Sequence, residues 1–344
     1  MGAPAPVVFG CSGTELSADE IDLFQELRPA GLILFARNCR EPDQVRALVR
    51  SFRSAVADDR AFVFIDQEGG RVARLGPPHW RRAPPARLLG EIYGIDPERG
   101  RRAAEQNTRL IAAELTALGI NGNCIPVLDL PAPDGHEIIG DRAFADDPDT
   151  AIALGRIVTE TLLRCGCLPV IKHIPGHGRA RVDSHEHLPV VDCGRDALEA
   201  HDFRPFHALH DSPCAMTAHV LYADLDAERC ATHSALVIND VIRGRIGFSG
   251  LLISDDLAMA ALDGGLAERA SRALQAGCDL ALHCTGDIED MKAVAEGLPE
   301  IAPETVARLG RAHDMIRRPE PFERPVLERE FAETVSEAGL AWAT

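Results

Sequence analysis

Features of exported, membrane-spanning and nucleic-acid-binding chains are missing from this sequence. No apolar run is long enough to cross a bilayer. No basic segment followed by an apolar one stands at the N-terminus, so we expect no signal peptide. Positive charge is scarce, since 36 Lys+Arg face 53 Asp+Glu for a net charge of −17. Long-range repulsion therefore disfavours a nucleic-acid backbone or an anionic membrane surface as partner.

The ten cysteines lack the spacing of zinc or thioredoxin motifs, because the one close pair, Cys165 and Cys167, has a single residue between its members. Most of the others lie in or beside apolar runs, where a free cysteine packs as a small hydrophobe. Reduced cysteines, the missing export signal and a sequence pI of 5.2 together favour the cytoplasm. A secreted protein held by disulfides is the less favoured alternative.

Short β-rich apolar runs alternate with amphipathic segments along the chain. We predict eight strands, at Val7–Phe9, Gly31–Phe35, Phe62–Ile65, Ile120–Val127, Pro169–Ile171, Cys214–Ala218, Leu251–Ser254 and Leu280–His283. We predict helices at Asp19–Leu27, Pro42–Ser54, Glu98–Leu118, Asp149–Leu163 and Leu266–Gln275. This alternation indicates an α/β protein with a parallel sheet, and eight units favour a (β/α)8 TIM barrel. A doubly wound sheet is the alternative, but GCSGTE after the first strand matches its phosphate-binding turn poorly.

Linkers, repeats and low-complexity stretches are absent too, so nothing divides the 344 residues into separate units. A chain of this size buries about three quarters of the surface that its unfolded form exposes, which is enough for one large core. We predict a single domain over residues 1–344, with the barrel over about 5–300. The C-terminal extension over about 301–344 either docks on the barrel or extends away from it, and its last part is predicted to be a short helix.

Ionisable residues follow nearly every predicted strand at the same end, where the loops of a barrel form its active site. Asp66 and Arg74 follow the third strand, Arg142 follows the fourth, and Lys172 and His173 end the fifth. Carboxylates together with cations suit a polyhydroxylated ligand, because sugar hydroxyls both donate and accept hydrogen bonds. Each of these residues taken alone could equally belong to an internal ion pair.

Two stretches carry candidate reactive groups. Asp183 and His185 lie two residues apart in the loop after the fifth strand, where the carboxylate can orient the imidazole and raise its pKa. His185 could then serve as general acid and base, and a solvated polar loop is the alternative. Asp255 ends a buried strand, and a carboxylate held there can attack an electrophilic carbon. Its alternative role is to cap the following segment, which Asp256 could do instead.

In this order, these segments resemble those of glycoside hydrolase family 3. They are DQEGGRV from Asp66, KHIPGHG from Lys172, DSH from Asp183 and SDDLAM from Ser254. The resemblance extends from about Gly10 to Asp287. Within the family, the similarity is to the bacterial β-N-acetylhexosaminidases of peptidoglycan recycling.

The resemblance implies a barrel enzyme that removes terminal β-linked N-acetylglucosamine, with retention, from 1,6-anhydro-muropeptides. It implies that Asp255 is the nucleophile and that His185, partnered by Asp183, is the acid/base. It also implies sugar-binding roles for Asp66, Arg74, Arg142, Lys172 and His173. No metal or organic cofactor is expected. The expected partner is a small muropeptide or N-acetylglucosaminide, with no nucleic acid or membrane, and the chain is expected to be a monomer.

Three alternatives remain at this point. A metal-dependent barrel hydrolase would draw zinc ligands from His173, His177, His185, His187 and Asp255, although their spacing fits no standard zinc motif. A phosphorylase would use the same residues with phosphate in place of water, since a histidine acid/base repels phosphate less than a carboxylate does. A non-catalytic sugar-binding protein would be expected to have lost Asp255 or His185, and both are present.

Overall fold

The computed structural model describes residues 2–319 and 321–342. Its strands are β1 (Ala5–Phe9), β2 (Pro29–Leu34), β3 (Phe62–Ile65), β4 (Gly122–Asn123), β5 (Leu168–Pro169), β6 (Ile171–Ile174), β7 (Val190–Val191), β8 (Cys214–Thr217), β9 (Leu221–Tyr222), β10 (Leu251–Asp256) and β11 (Leu280–His283). Nine of them form one parallel sheet in the order β5-β4-β3-β2-β1-β11-β10-β8-β6. Only Val170 separates β5 from β6, so the two ends of the sheet are consecutive pieces of one strand and the sheet closes. The predicted (β/α)8 barrel is confirmed.

The helices surround this barrel. They are α1 (Ala18–Leu27), α2 (Pro42–Val56), α3 (Ala86–Ile95), α4 (Pro97–Ala117), α5 (Pro148–Arg164), α6 (Arg195–Ala200), α7 (Arg204–Ala208), α8 (Leu266–Ala276), α9 (Ile288–Glu296), α10 (Pro303–Met315) and α11 (Arg324–Glu337), with a π-helix at Val237–Arg245 before β10. The five predicted helices are confirmed to within a few residues. Ser17 caps α1 in a capping box with Glu20, and Gly277 ends α8 at a φ of 119°.

Alternation along the strands divides the core into two layers. In β3, Phe62 and Phe64 point into the barrel, whereas Val63 and Ile65 belong to the layer between sheet and helices. Val8 likewise lies inside while its neighbours in β1 lie outside. Because successive side chains of a strand point to opposite faces, near-continuous apolar runs are what a strand buried on both faces requires.

One predicted strand is much shorter in the structure. The strand predicted over Ile120–Val127 is reduced to β4, because Asn123 turns its side chain to the backbone of Gln67 and Pro126 cannot donate to the ladder. The segment after Asp255 is a turn. The C-terminal helix α11 docks on α4, where Arg324 reaches Glu114 at 2.6 Å. Of the helices described, none has the length and apolar character that crossing a membrane requires.

Candidate active site

A cavity of about 240 Å³ opens at the carboxyl ends of the barrel strands. Seven of the eight predicted site residues line it: Asp66, Arg74, Arg142, Lys172, His173, His185 and Asp255. The eighth, Asp183, is hydrogen-bonded to His185. The barrel thus brings together groups that stand up to 189 residues apart in the chain, from Asp66 to Asp255.

One wall of the cavity is a buried network of ion pairs. Lys172 is 2% exposed, and its Nζ lies 2.8 Å from Asp66 Oδ1 and 2.7 Å from Glu68 Oε1. Arg142 donates two hydrogen bonds of 2.9 Å to Glu68, and Arg74 lies 3.1 Å from Asp66. Burial alone would raise the pKa of Asp66 and Glu68, but the cations outweigh it and lower both values. Both carboxylates therefore stay ionised.

Side chains in the segment after β3 point alternately to two faces, and those on one face form this wall. Asp66 and Glu68 are two apart in extended chain and share a face. Gln67 faces the other way and ties the loop together, since its Nε2 donates to Leu75 O at 2.9 Å and its Oε1 accepts from Arg74 N at 2.8 Å. The loop needs glycine at 69, where a Cβ would lie 2.0 Å from a backbone oxygen. Sequence reasoning missed Glu68, although its spacing from Asp66 was an available signal.

His173 is held by a buried carboxylate that was also missed. Its Nδ1 lies 2.6 Å from Asp129 Oδ2, and Asp129 accepts the backbone N–H groups of His173 and His177 as well. Burial would raise the pKa of Asp129, but the neighbouring His173 lowers it. The contact engages Nδ1 and leaves Nε2 as the nitrogen available to a ligand. The position of Asp129 directly after the fourth strand was the signal for it.

Asp255 lies at the floor of the cavity, at the end of β10. Its Oδ1 accepts the backbone N–H of Asp256 at 2.8 Å. Burial would raise its pKa, but His219 and His173 lower it, so the carboxylate is ionised and ready to react as an anion. The capping role belongs to Asp256, whose Oδ1 accepts from Ala258 N at 3.0 Å, and burial raises the pKa of Asp256 to about 6.

His219 does not line the cavity but contacts the backbone of Asp256, which does, and it was not predicted as a site residue. It is buried, with Nδ1 2.7 Å from Thr232 Oγ1 and Nε2 3.0 Å from the backbone oxygen of Asp256. Burial lowers its pKa, which keeps the ring neutral at ordinary pH. Its place after the sixth strand was the only sequence signal for it.

The Asp183–His185 pair lies at the rim of the cavity. His185 Nδ1 is 2.7 Å from Asp183 Oδ1, and the same oxygen accepts the backbone N–H of His185 at 2.8 Å. The His185 side chain is 62% exposed and that of Asp183 is 22% exposed. Slight burial would raise the pKa of Asp183, but the two hydrogen bonds from His185 lower it. An ionised carboxylate thus fixes the proton on Nδ1 and leaves Nε2 for proton exchange.

Three of the four histidines considered as zinc ligands have hydrogen-bond partners of their own. The three that line the cavity, His173, His177 and His185, are each hydrogen-bonded to a different side chain. Within residues 2–319 and 321–342, no three His, Cys, Asp or Glu side chains are grouped so as to hold a metal ion.

An anionic carboxylate and a carboxylate-oriented histidine line one cavity whose wall carries fixed hydrogen-bonding charges. Such groups at the strand ends of a closed barrel suit the hydrolysis of a glycoside, although two carboxylates are the usual pair and a histidine in place of one of them is not. The family model for the glycosyl hydrolase family 3 N terminal domain matches residues 10–312, so the chain belongs to glycoside hydrolase family 3.

Relatives of this chain cover nearly all of it. A β-hexosaminidase from Alkalilimnicola ehrlichii is 39% identical over 312 residues, which are 90% of this chain and 88% of that protein. The solved structure of NagZ from Neisseria gonorrhoeae has a TM-score of 0.84 at 30% identity, covering 99% of this chain and 98% of that one. A family 3 β-N-acetylglucosaminidase from Paenibacillus has the same TM-score at 29% identity, covering 96% of this chain and 67% of that one.

Proposed function

We propose that this glycoside hydrolase is a retaining exo-β-N-acetylglucosaminidase that acts on 1,6-anhydro-muropeptides in peptidoglycan recycling. The observation that carries the proposal is the pairing of an ionised Asp255 at the cavity floor with an Asp183-oriented His185 at the rim. The similarity to a NagZ and to a β-N-acetylglucosaminidase supports the choice of sugar.

In the first step, an Asp255 oxygen attacks the anomeric carbon through an oxocarbenium-like transition state. The bond to the leaving oxygen breaks, and that oxygen takes the proton from Nε2 of the His185 imidazolium. A covalent glycosyl-enzyme results, and His185 is left neutral with its Nδ1 proton still donated to Asp183. The anionic Asp183 stabilises the imidazolium form that this step needs.

In the second step, neutral His185 removes a proton from water through Nε2. The water oxygen bonds to the anomeric carbon and the Asp255 carboxylate is released. Two displacements at the same carbon restore its configuration, so the product is β-N-acetylglucosamine. The exposure of His185 suits this step, because water reaches the acid/base directly.

The buried network is suited to hold the sugar ring. Asp66 and Glu68 supply acceptors, and Arg74, Arg142 and Lys172 supply donors, all fixed by their mutual pairing. His173 adds a further nitrogen held by Asp129. Three cations against two carboxylates leave one positive charge at this wall, which favours an anionic muropeptide despite the acidic chain.

We further propose one catalytic unit that works as a monomer in the cytoplasm. The C-terminal helices pack on the barrel through contacts such as Arg324 with Glu114, and one chain supplies every group of the site. Buried free thiols, whose pKa burial raises (Cys11 to about 12, Cys230 to about 11), fit a reducing compartment.

A product assay on N-acetylglucosaminyl-1,6-anhydro-N-acetylmuramoyl peptides tests this function. Release of free N-acetylglucosamine, observed first as the β-anomer by NMR and unchanged by added phosphate, is expected. A first-formed α-anomer would contradict retention. A sugar phosphate formed with added phosphate would instead identify a phosphorylase. On a tetrasaccharide of the same repeat, cleavage of the internal linkages would contradict the exo mode.

A further inference from the structure

We propose that His177 is a positioning residue that anchors the loop carrying the Asp183–His185 pair to the barrel, through Ser184. His177 Nε2 lies 3.1 Å from Ser184 Oγ, and both residues are buried. The proposal rests on the acid/base role proposed for His185. It assigns to His177 no contact with the reacting atoms.

The burial pattern of the loop identifies Ser184 as its attachment point. Ser184 is 3% exposed although it lies between the partly exposed Asp183 and the exposed His185. The turn therefore directs one side chain inward at the position between the two functional groups. A hydroxyl buried in that way needs a hydrogen-bond partner, and His177 supplies it.

His177 is itself firmly held. Its backbone N–H donates to Asp129 Oδ1 at 2.7 Å, and its ring packs against His173 with 5.6 Å between centroids. The following residue, Gly178, packs so closely that a Cβ there would lie 1.8 Å from Leu130 O. Asp129 thus fixes His173 at the sugar-binding wall and His177 below the loop, which connects the two parts of the site.

The chemistry of His177 fits positioning better than proton transfer. Burial, reinforced by the nearby His173, lowers its pKa to about 4, so the ring is neutral at ordinary pH. A neutral ring offers one donor and one acceptor, and a serine hydroxyl pairs with either. A second contact holds the loop from its other side, since Ala260 N donates to His185 O at 3.4 Å in the turn that follows Asp255.

Ser184→Ala removes the anchor without opening a large cavity. We expect kcat to fall about 10- to 100-fold on substrates with poor leaving groups, because a displaced acid transfers its proton less well. In kcat/KM, which reports the first step alone, the loss should nearly disappear with an activated aryl leaving group, because the departure of that group needs no proton. The melting temperature should stay close to wild type. Ser184→Thr, which keeps the hydroxyl, should recover most of the lost rate.

Matched variants separate anchoring from general damage. His187→Ala, an exposed histidine in the same loop, should leave both substrates unaffected. His177→Asn combined with Ser184→Ala should cost little more than the larger single effect, because both remove one interaction. If His177→Asn does not fold, the comparison of Ser184→Ala with Ser184→Thr still tests the anchoring role.

Equal losses in kcat/KM of Ser184→Ala on both kinds of substrate, no loss on either, or failure of threonine to recover the rate would overturn the anchoring role. A wild-type chain that hydrolyses neither substrate would instead contradict the proposed function.

Discussion

The two sides of the cavity are built in opposite ways. On one side Asp66, Glu68, Arg142 and Lys172 form a buried network in which every charge has a partner. On the other, His185 stands exposed on a loop and pairs with the carboxylate of Asp183. The first side is fixed in advance, whereas the second is open to water.

This difference follows from what each side must do. Burying a charge is costly unless it is paired and hydrogen-bonded, so a preorganised wall for hydroxyl groups requires a complete network. A general acid must recover its proton in each cycle, which exposure to water allows. Stability and substrate binding should therefore depend on the network, and the rate of proton transfer on the loop.

Asp255→Ala is expected to have the largest effect on activity, since it removes the carboxylate that we propose as the nucleophile. Turnover of a chromogenic N-acetyl-β-glucosaminide should fall by more than about 10⁴-fold. The folded state should remain, because Asp255 is not part of the ion-pair network. Wild-type-like turnover would remove Asp255 from the mechanism.

His185→Ala should reduce kcat on the natural disaccharide by about 10²- to 10⁴-fold, the range of general acid catalysis. Activated aryl glycosides should lose much less in kcat/KM, because the departure of their leaving group needs no proton, although their kcat should still fall through the second step, in which His185 is the proposed base. Asp183→Asn should reduce the rates in the same order but by smaller factors, because it leaves the imidazole in place and only weakens its orientation. Steady-state kinetics on both substrates provide the measurement, and an unchanged rate on the disaccharide would exclude His185 as the acid.

Lys172→Met should act mainly on stability. It leaves Asp66 and Glu68 without their shared cation, which should lower the free energy of unfolding by about 3–5 kcal/mol. Lys292→Met is the matched control, since the only other lysine of the chain is exposed and pairs with Glu289 at the surface. Denaturant unfolding should distinguish them, and equal behaviour of the two variants would contradict the structural role of the network.

The smallest effect expected is a change in acid stability. The pKa values of Asp66 and Glu68 lie below their ordinary 3.8 and 4.5 in the folded state, so their contribution is present above those values and lost as pH falls below them. Melting temperature should fall on acidification below about pH 4.5 in wild type. Glu68→Gln should flatten that fall, and Asp183→Asn should flatten it less, because the Asp183–His185 pair is more exposed to solvent.

The sequence predicts the barrel well because its signal is local. Each strand is a short apolar run, and Ser17 and Gly277 mark helix ends with their own chemistry. Seven predicted site residues line one cavity because barrel topology gathers the strand ends, so the fold class alone brings them together.

The rest depends on contacts between distant parts of the chain. Glu68 belongs to the site because Arg142, 74 residues away, pairs with it, and β4 is short because Asn123 bonds to Gln67, 56 residues away. The Ser184 side chain points inward because the loop passes over His177. No periodic pattern in the sequence predicts that path.

In the proposed mechanism, Asp255 forms a covalent bond to the sugar, and His185 first donates a proton to the leaving group and then accepts one from water. A fluorinated N-acetylglucosaminyl fluoride, which loads the enzyme quickly and leaves it slowly, tests this most directly when the trapped protein is digested and examined by mass spectrometry. The added sugar mass should lie on the peptide that contains Asp255, and fragmentation should assign it to that residue. A sugar attached to another residue, or inactivation without any adduct, would exclude Asp255 as the nucleophile.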